Sequence, residues 1–95
     1  MERPETLKIH ATDVTGQKNW NAEEVPVNST ISDMIGTLVP KLGLLNTDFE
    51  GRPLTYHALL EREGRHLNGS EIVQEALREA DRIVLQPNVD AGAHP

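Results

Sequence analysis

Polar and apolar residues alternate over Thr6-Leu7-Lys8-Ile9-His10-Ala11-Thr12, which sets Leu7, Ile9 and Ala11 on one side and Lys8 and His10 on the other. A period of two predicts a half-buried strand. The segment from Asp13 to Asn19 is turn chemistry, with Gly16 free to take a positive φ. From Trp20 to Val27 the apolar positions fall at Trp20 and Ala22, then slip phase to Val25 and Val27. That slip predicts a bulge or a late strand start. Pro26 cannot donate to a central ladder, so this segment belongs at a sheet edge or a strand end. The two segments together predict a β-hairpin.

The next pattern changes period. Ile31, Met34, Ile35, Leu38, Val39 and Leu42 stand at i, i+3, i+4, i+7, i+8 and i+11, one apolar stripe of an amphipathic helix of about three turns. Ser29 or Thr30 is placed as N-cap, and Thr30 with Asp33 has capping-box spacing. Asp33 complements the positive end of the helix dipole and Lys41 the negative end. Gly43 is placed to end the helix in the left-handed conformation. Pro40 is discordant, because it removes the hydrogen bond to the Gly36 carbonyl.

After turn-forming residues at 46–48 and 50–53, Leu54 to Leu60 reads as a third strand and Arg65-His66-Leu67 as a short fourth. Asn68-Gly69 is a turn signal. From Ser70 as cap, a short helical turn would bury Ile72, Val73, Ala76 and Leu77, and Ile83-Val84-Leu85 forms the last strand. The expected fold class is α+β: a mixed sheet of four to five strands, with one amphipathic helix packed across it. Its core would join the helical stripe to Leu7, Ile9, Val25, Val27, Ile83 and Leu85. Residues 1–5 and 88–95 are expected to be flexible tails, leaving 6–87 as the folded domain.

Composition narrows the function. The chain has 95 residues, 15 Asp+Glu against 9 Lys+Arg, and a net charge of −6. An acidic balance argues against nucleic acid, whose phosphates need clustered Lys and Arg. The absence of cysteine removes disulfides, Cys-based zinc sites and thiol nucleophiles. No apolar run is long enough for a membrane helix, and the first residues carry no secretory signal, so a cytoplasmic monomer is expected. A domain of this size buries only about 60–65% of its unfolded surface, which disfavours a deep catalytic pocket.

Candidate chemistry adds little to that. His10, His57, His66 and His94 do not fall at metal-ligand spacing, and solvated surface positions are the expectation. The acids lie at strand ends and turns, and no nucleophile motif or phosphate loop is present. No enzyme activity, cofactor or metal is therefore expected. The outer face of the sheet is the more informative surface. If Ile83 and Leu85 face the core, Val84 faces away, as do Lys8 and His10 and one of His57 and Leu59. Trp20 is expected to pack over a sheet edge, the alternative being an exposed anchor for a partner.

The element order and spacing resemble those of a ubiquitin-like β-grasp domain. Leu7-Lys8-Ile9 is similar to the opening strand of ubiquitin, and Ser29-Thr30-Ile31 to the start of its helix. Gly64-Arg65-His66-Leu67 resembles the family's Gly-x-x-Leu turn, Ile72 and Leu77 two core positions, and Asp81 to Leu85 the closing strand. Arg52-Pro53-Leu54-Thr55-Tyr56 looks more like bacterial ubiquitin-like proteins. The resemblance covers about residues 6–87 and implies protein partners. It also implies a recognition patch near Lys8, His10, His57, Leu59 and Val84.

Three roles follow from it as alternatives. One is a covalent modifier whose tail is clipped near Ala91 and Gly92, served by an activating enzyme and a deconjugating peptidase. Another is an uncleaved interaction module, similar to the ubiquitin-like components of bacterial type VII secretion systems. A third is a sulfur carrier in cofactor biosynthesis. The family's terminal Gly-Gly is absent, and Ala91-Gly92 stands near its place with three residues following.

Overall fold

The computed structural model describes residues 5–88. The candidate processing residues Ala91 and Gly92, and His94, lie outside the described residues.

Strand β1 spans Thr6–Asp13 and β2 Asn19–Pro26; helix α1 spans Ile31–Lys41; strands β3 and β4 span Tyr56–Leu60 and Arg65–His66. A single helical turn, α2, covers Val73–Ala76, and β5 covers Asp81–Pro87. The strands form one five-stranded sheet in the order β2-β1-β5-β3-β4. β1 and β5 run parallel at its centre, and the other neighbours are antiparallel. The α+β architecture of a mixed sheet with one helix across it is the one the sequence patterns predict.

The phase slip in β2 is a bulge. Leu7 pairs with Val25 and Ile9 with Ala22, so Lys8 alone spans the stretch occupied by Glu23 and Glu24. The extra residue brings Val25 back to the core side that Trp20 and Ala22 already face, because each stands opposite a buried residue of β1.

Helix α1 starts where its cap requires. The Asp33 N–H donates to Thr30 Oγ1 at 3.1 Å, and Thr30 is extended, as an N-cap must be. Two further N–H groups of the first turn, from Ile31 and Ser32, donate to the Glu71 and Gly69 carbonyls. These bonds dock the 69–71 turn against the helix start and satisfy donors that have no partner within the helix. At the other end Gly43 takes a φ of +70°, its N–H reaches the Pro40 carbonyl, and the Leu44 N–H reaches the Val39 carbonyl. This double closure is a Schellman motif. Pro40 stays within the helix; it and Gly36 both face solvent, so the carbonyl it leaves unbonded is open to water.

The helical stripe closes the core. Ile31, Met34, Ile35, Leu38 and Leu42 are buried against Leu7, Ile9, Ala11, Val25, Ala58, Leu60, Ile83 and Leu85. Each such Leu or Ile contributes roughly 1.5–3 kcal/mol by leaving water. Val27 and Val39 pack only partly buried at the rim. The helical turn from Ser70 is shorter than its sequence predicts. Ser70 donates both its N–H and its hydroxyl to Asn68 Oδ1, so it closes the preceding turn and does not cap α2. Ile72 is the half-buried N-cap, paired with Thr30 through an isolated bridge, while Val73 takes the fully buried place. Leu54 and Thr55 precede the third strand: the Leu54 N–H bonds the Asn46 carbonyl of the loop, and the Thr55 carbonyl accepts the Asn88 N–H just beyond the β3–β5 ladder.

Candidate functional site on the outer face of the sheet

With α1 on one face, the other face of the sheet carries every second residue of its strands. β1 presents Lys8, His10 and Thr12; β5 presents Arg82, Val84 and Gln86. Ala58 and Leu60 of β3 are buried, so His57 and Leu59 both face outward. Sequence alternation was expected to expose one or the other. Residues two apart in a strand share a face, so the pair moves together.

The register joins these residues into rows. Val84 stands opposite Leu59 on one side and Thr12 on the other, and Leu59 stands opposite His66 of β4. One step along, His10 stands opposite Arg82 on β5 and Asn21 on β2. One step the other way, His57 stands opposite Gln86. The half-buried aliphatic pair Leu59–Val84 is thereby bordered by Thr12, Arg82 and the three imidazoles of His10, His57 and His66, with Lys8 lying further along β1 on the same face, beyond His10.

Carboxamides fix two of those imidazoles. The ring nitrogens of His10 bond Asn21 Oδ1 and, at 3.2 Å, Asn19 Oδ1. Those of His57 bond Asn88 Oδ1 and, at 2.9 Å, Gln86 Oε1. A neutral imidazole has one N–H, so one carboxamide of each pair must offer its NH₂ group; the imidazolium would donate to both oxygens. His57 also meets the His66 ring edge to face, at 4.8 Å between centroids. The face is thus a preset polar frame around a small apolar centre.

Sequence reading brought Lys8, His10, His57, Leu59 and Val84 to one surface, and the structure places all five there. It missed Arg82 and His66. Arg82 follows from the alternation that singled out Val84, since the two stand two apart on β5. His66 reaches the face only through the β3–β4 pairing, which leaves no local pattern. Trp20 departs from expectation. It stands at the β2 edge on the helix side but remains 41% exposed, with Lys41 Nζ 5.5 Å from its ring centroid. Phe49 and Leu45 in the loop after α1 are exposed as well.

Among the described residues no group of three or more His, Asp or Glu side chains is placed to hold a metal, and no helix is long and apolar enough to cross a membrane. The shifted carboxylates belong to the frame of the fold. Burial pushes the Asp81 carboxyl up, but the Arg62 guanidinium and the Arg78 N–H outweigh it and hold it below the usual carboxylate range. Hydrogen bonds from Arg65 and from the Asn68 N–H lower Glu71, and Arg65 lowers Glu63.

No protein-family model matches the chain, and no curated protein matches it in sequence. Solved structures do match its fold. The ubiquitin of Caldiarchaeum subterraneum superposes with a TM-score of 0.63 at 18% identity, covering 90% of this chain and 98% of that one. The UBL domain of yeast Ddi1 superposes at 0.62 and 14% identity, covering 96% of this chain and 99% of the other. A chain of the MycP5-free ESX-5 inner membrane complex superposes at 0.65 and 18% identity; the match covers 93% of this chain and only 22% of that chain. At these identities the likeness is one of fold, and with the strand order, the crossing helix and the parallel β1–β5 pair it establishes that the chain has the ubiquitin-like β-grasp fold.

Proposed function

We propose that this chain is a bacterial, cytoplasmic protein-recognition module, without enzyme activity of its own, that binds partner proteins through the outer face of its sheet. The observation that carries the reading is the cross-strand pair Leu59–Val84, an apolar centre framed by His10, Arg82, His57 and His66, with Lys8 further along the same face. A contact of this build supplies a desolvated aliphatic anchor with a polar rim, the usual anatomy of a recognition surface. The partner therefore offers an aliphatic or aromatic side chain flanked by carboxylates. The ESX-5 complex supports a role inside larger assemblies, since a domain of this fold forms a fraction of one of its chains.

A second reading rests on the tail. β5 ends at Pro87, and Ala91-Gly92 follows a few residues on, near the place of a terminal diglycine. On that reading the chain is processed after Gly92 and conjugated by an activating enzyme, or loaded as a sulfur carrier. The chain has no cysteine, so any thioester would be made on a partner's thiol.

Capture from the native host's lysate tests the first reading. Proteins held by the native chain should be lost from a Val84→Arg variant that unfolds at the same temperature. Retention of the same set by that variant overturns the outer-face assignment. Intact mass after incubation in that lysate tests the second. Loss of Ala93-His94-Pro95 followed by adducts supports a modifier, a thiocarboxylate gain supports a carrier, and an unchanged mass rejects both.

A further inference from the structure

Each carboxamide pair around the outer-face imidazoles has one fixed member and one free member. Asn19 Nδ2 donates to the Gly16 carbonyl at 3.0 Å. A carbonyl can only accept, so Asn19 must turn its Oδ1 toward His10 Nε2. Asn21, on Nδ1 of the same ring, has no second side-chain partner among the described residues and can present either its oxygen or its NH₂. The pattern recurs at His57. Asn88 donates its Nδ2 to Thr55 Oγ1 at 2.8 Å and its backbone N–H to the Thr55 carbonyl, which leaves its Oδ1 facing His57 Nδ1. Gln86, on Nε2, is the free member.

A fixed acceptor requires an N–H on the nitrogen it faces. The neutral rings therefore carry their proton on different atoms, Nε2 in His10 and Nδ1 in His57. The remaining nitrogen accepts from the NH₂ of Asn21 or Gln86. When a ring takes a second proton, a half-turn of that free carboxamide presents its oxygen instead. Imidazole is the side chain that changes charge between about pH 5 and 8, and here both charge states keep two hydrogen bonds.

The charges around the two rings are known element by element. His10 faces Lys8 along β1, Arg82 across on β5 and Glu23 on β2, and Glu79 accepts the Lys8 N–H. His57 meets the His66 ring from β4, and β5 offers it the uncharged Gln86 and Asn88. Tyr56 turns to the helix side, where its hydroxyl donates to the Leu45 carbonyl. Two added protons would join Lys8 and Arg82 and outweigh Glu23 and Glu79, so a mixed frame becomes a positive one.

We propose that the outer face is proton-gated: His10 and His57 become charged without losing a hydrogen bond, through the turning of Asn21 and Gln86, and the charged face holds an acidic partner more tightly. The gate rests on the outer-face reading above and gives it a direction. Carboxylates of a partner stay ionised from about pH 8 to 6, so the partner is held as pH falls through that range and released as it rises.

Long-range proton–nitrogen NMR of the full chain reads the rings directly and needs no partner. At about pH 8 the proton should sit on Nε2 of His10 and on Nδ1 of His57, and on acidification the amide resonances of Asn21 and Gln86 should move more than those of Asn19 and Asn88. The same tautomer in both rings overturns the proposal. Capture from the native host's lysate reads the gate. Proteins held at about pH 6 should be held about threefold less or weaker still at about pH 8, and His10→Gln/His57→Gln should bring the two captures to within about twofold. An unchanged melting temperature at the lower pH will show that this variant is folded. Equal capture by the native chain at both values, or none at the lower one, overturns the gate. Val84→Arg separates the two readings. Loss of capture in that variant, with an equal native response at both pH values, keeps the face and removes the gate; retention of the native set removes the face and the gate with it.

Discussion

Arg62 grips Asp81 with two parallel hydrogen bonds, Nε to Oδ1 and Nη2 to Oδ2, each 3.0 Å long. Asp81 is the buried charged residue at the start of β5, and its Oδ2 also accepts the Arg78 N–H at 2.8 Å. One carboxylate thus ties the turn after β3 to the entry of the central parallel strand.

Replacing Asp81 by Ala should therefore lower stability by about 2–4 kcal/mol, because it strands the Arg78 N–H and removes a charged acceptor. Urea denaturation should show a lower midpoint with an unchanged slope. The exposed Arg52–Glu50 contact is the control. Arg52→Ala should leave the midpoint where it is, since surface pairs of this kind contribute little. Equal effects of the two variants would remove Asp81 from its structural place.

The same carboxylates set the acid limit of the fold. Asp81, Glu63 and Glu71 ionise at lower pH in the folded chain than their ordinary values of 3.8 for Asp and 4.5 for Glu. In the acid range the unfolded chain then binds more protons than the folded one, so stability falls as pH falls. Their contribution is complete above those ordinary values and is lost as pH drops through the lower folded-state ones. Melting temperature should be flat from about pH 7 to 5 with respect to these groups, then fall steeply below about pH 4. Arg62→Ala should make that fall shallower. A melting temperature that rises below pH 4 would contradict the assignment.

Ala80 sits at a φ of +66° just before β5, and its N–H donates to the Lys8 carbonyl at 2.7 Å. A left-handed alanine is strained by its Cβ, and glycine relieves that strain at some cost in chain entropy. Ala80→Gly should stabilise the protein by roughly 0.5–1 kcal/mol, and Ala80→Val should destabilise it. Gly64, at +62°, is the mirror test: Gly64→Ala should cost about 1 kcal/mol. Thermal unfolding of the three variants gives the signs directly.

What the sequence made legible follows from how local each signal is. The stripe from Ile31 to Leu42 and the Thr30–Asp33 cap are written within a few turns of chain, and both are present as read. The β2 bulge was legible for the same reason, because Ala22 and Val25 break a period of two in place. The parallel pairing of β1 with β5 joins segments about 70 residues apart and leaves no local signal in the sequence. Trp20 shows the limit more sharply. Alternation gives its face, but its burial depends on how far α1 reaches; the helix ends at Lys41, whose cation lies near the ring and leaves it 41% exposed. Phe49 had no local signal at all. It is turned outward by a loop in which Asp48 Oδ1 accepts the Glu50 and Arg52 N–H groups.

Leu59 and Leu60 put the candidate site itself to the test, because they are neighbours in β3 on opposite faces. Leu60 is fully buried under α1, whereas Leu59 stands half-buried on the outer face against Val84. Leu60→Ala should cost about 3 kcal/mol, from lost burial and the cavity left behind. Leu59→Ala should cost about 1 kcal/mol or less, since only part of its side chain leaves water on folding. Capture of partner proteins should show the opposite order, with binding lost in Leu59→Ala at temperatures where both variants are folded. If Leu59→Ala proves the more destabilising of the two, the register of β3 is wrong by one residue and the outer face has a different apolar centre.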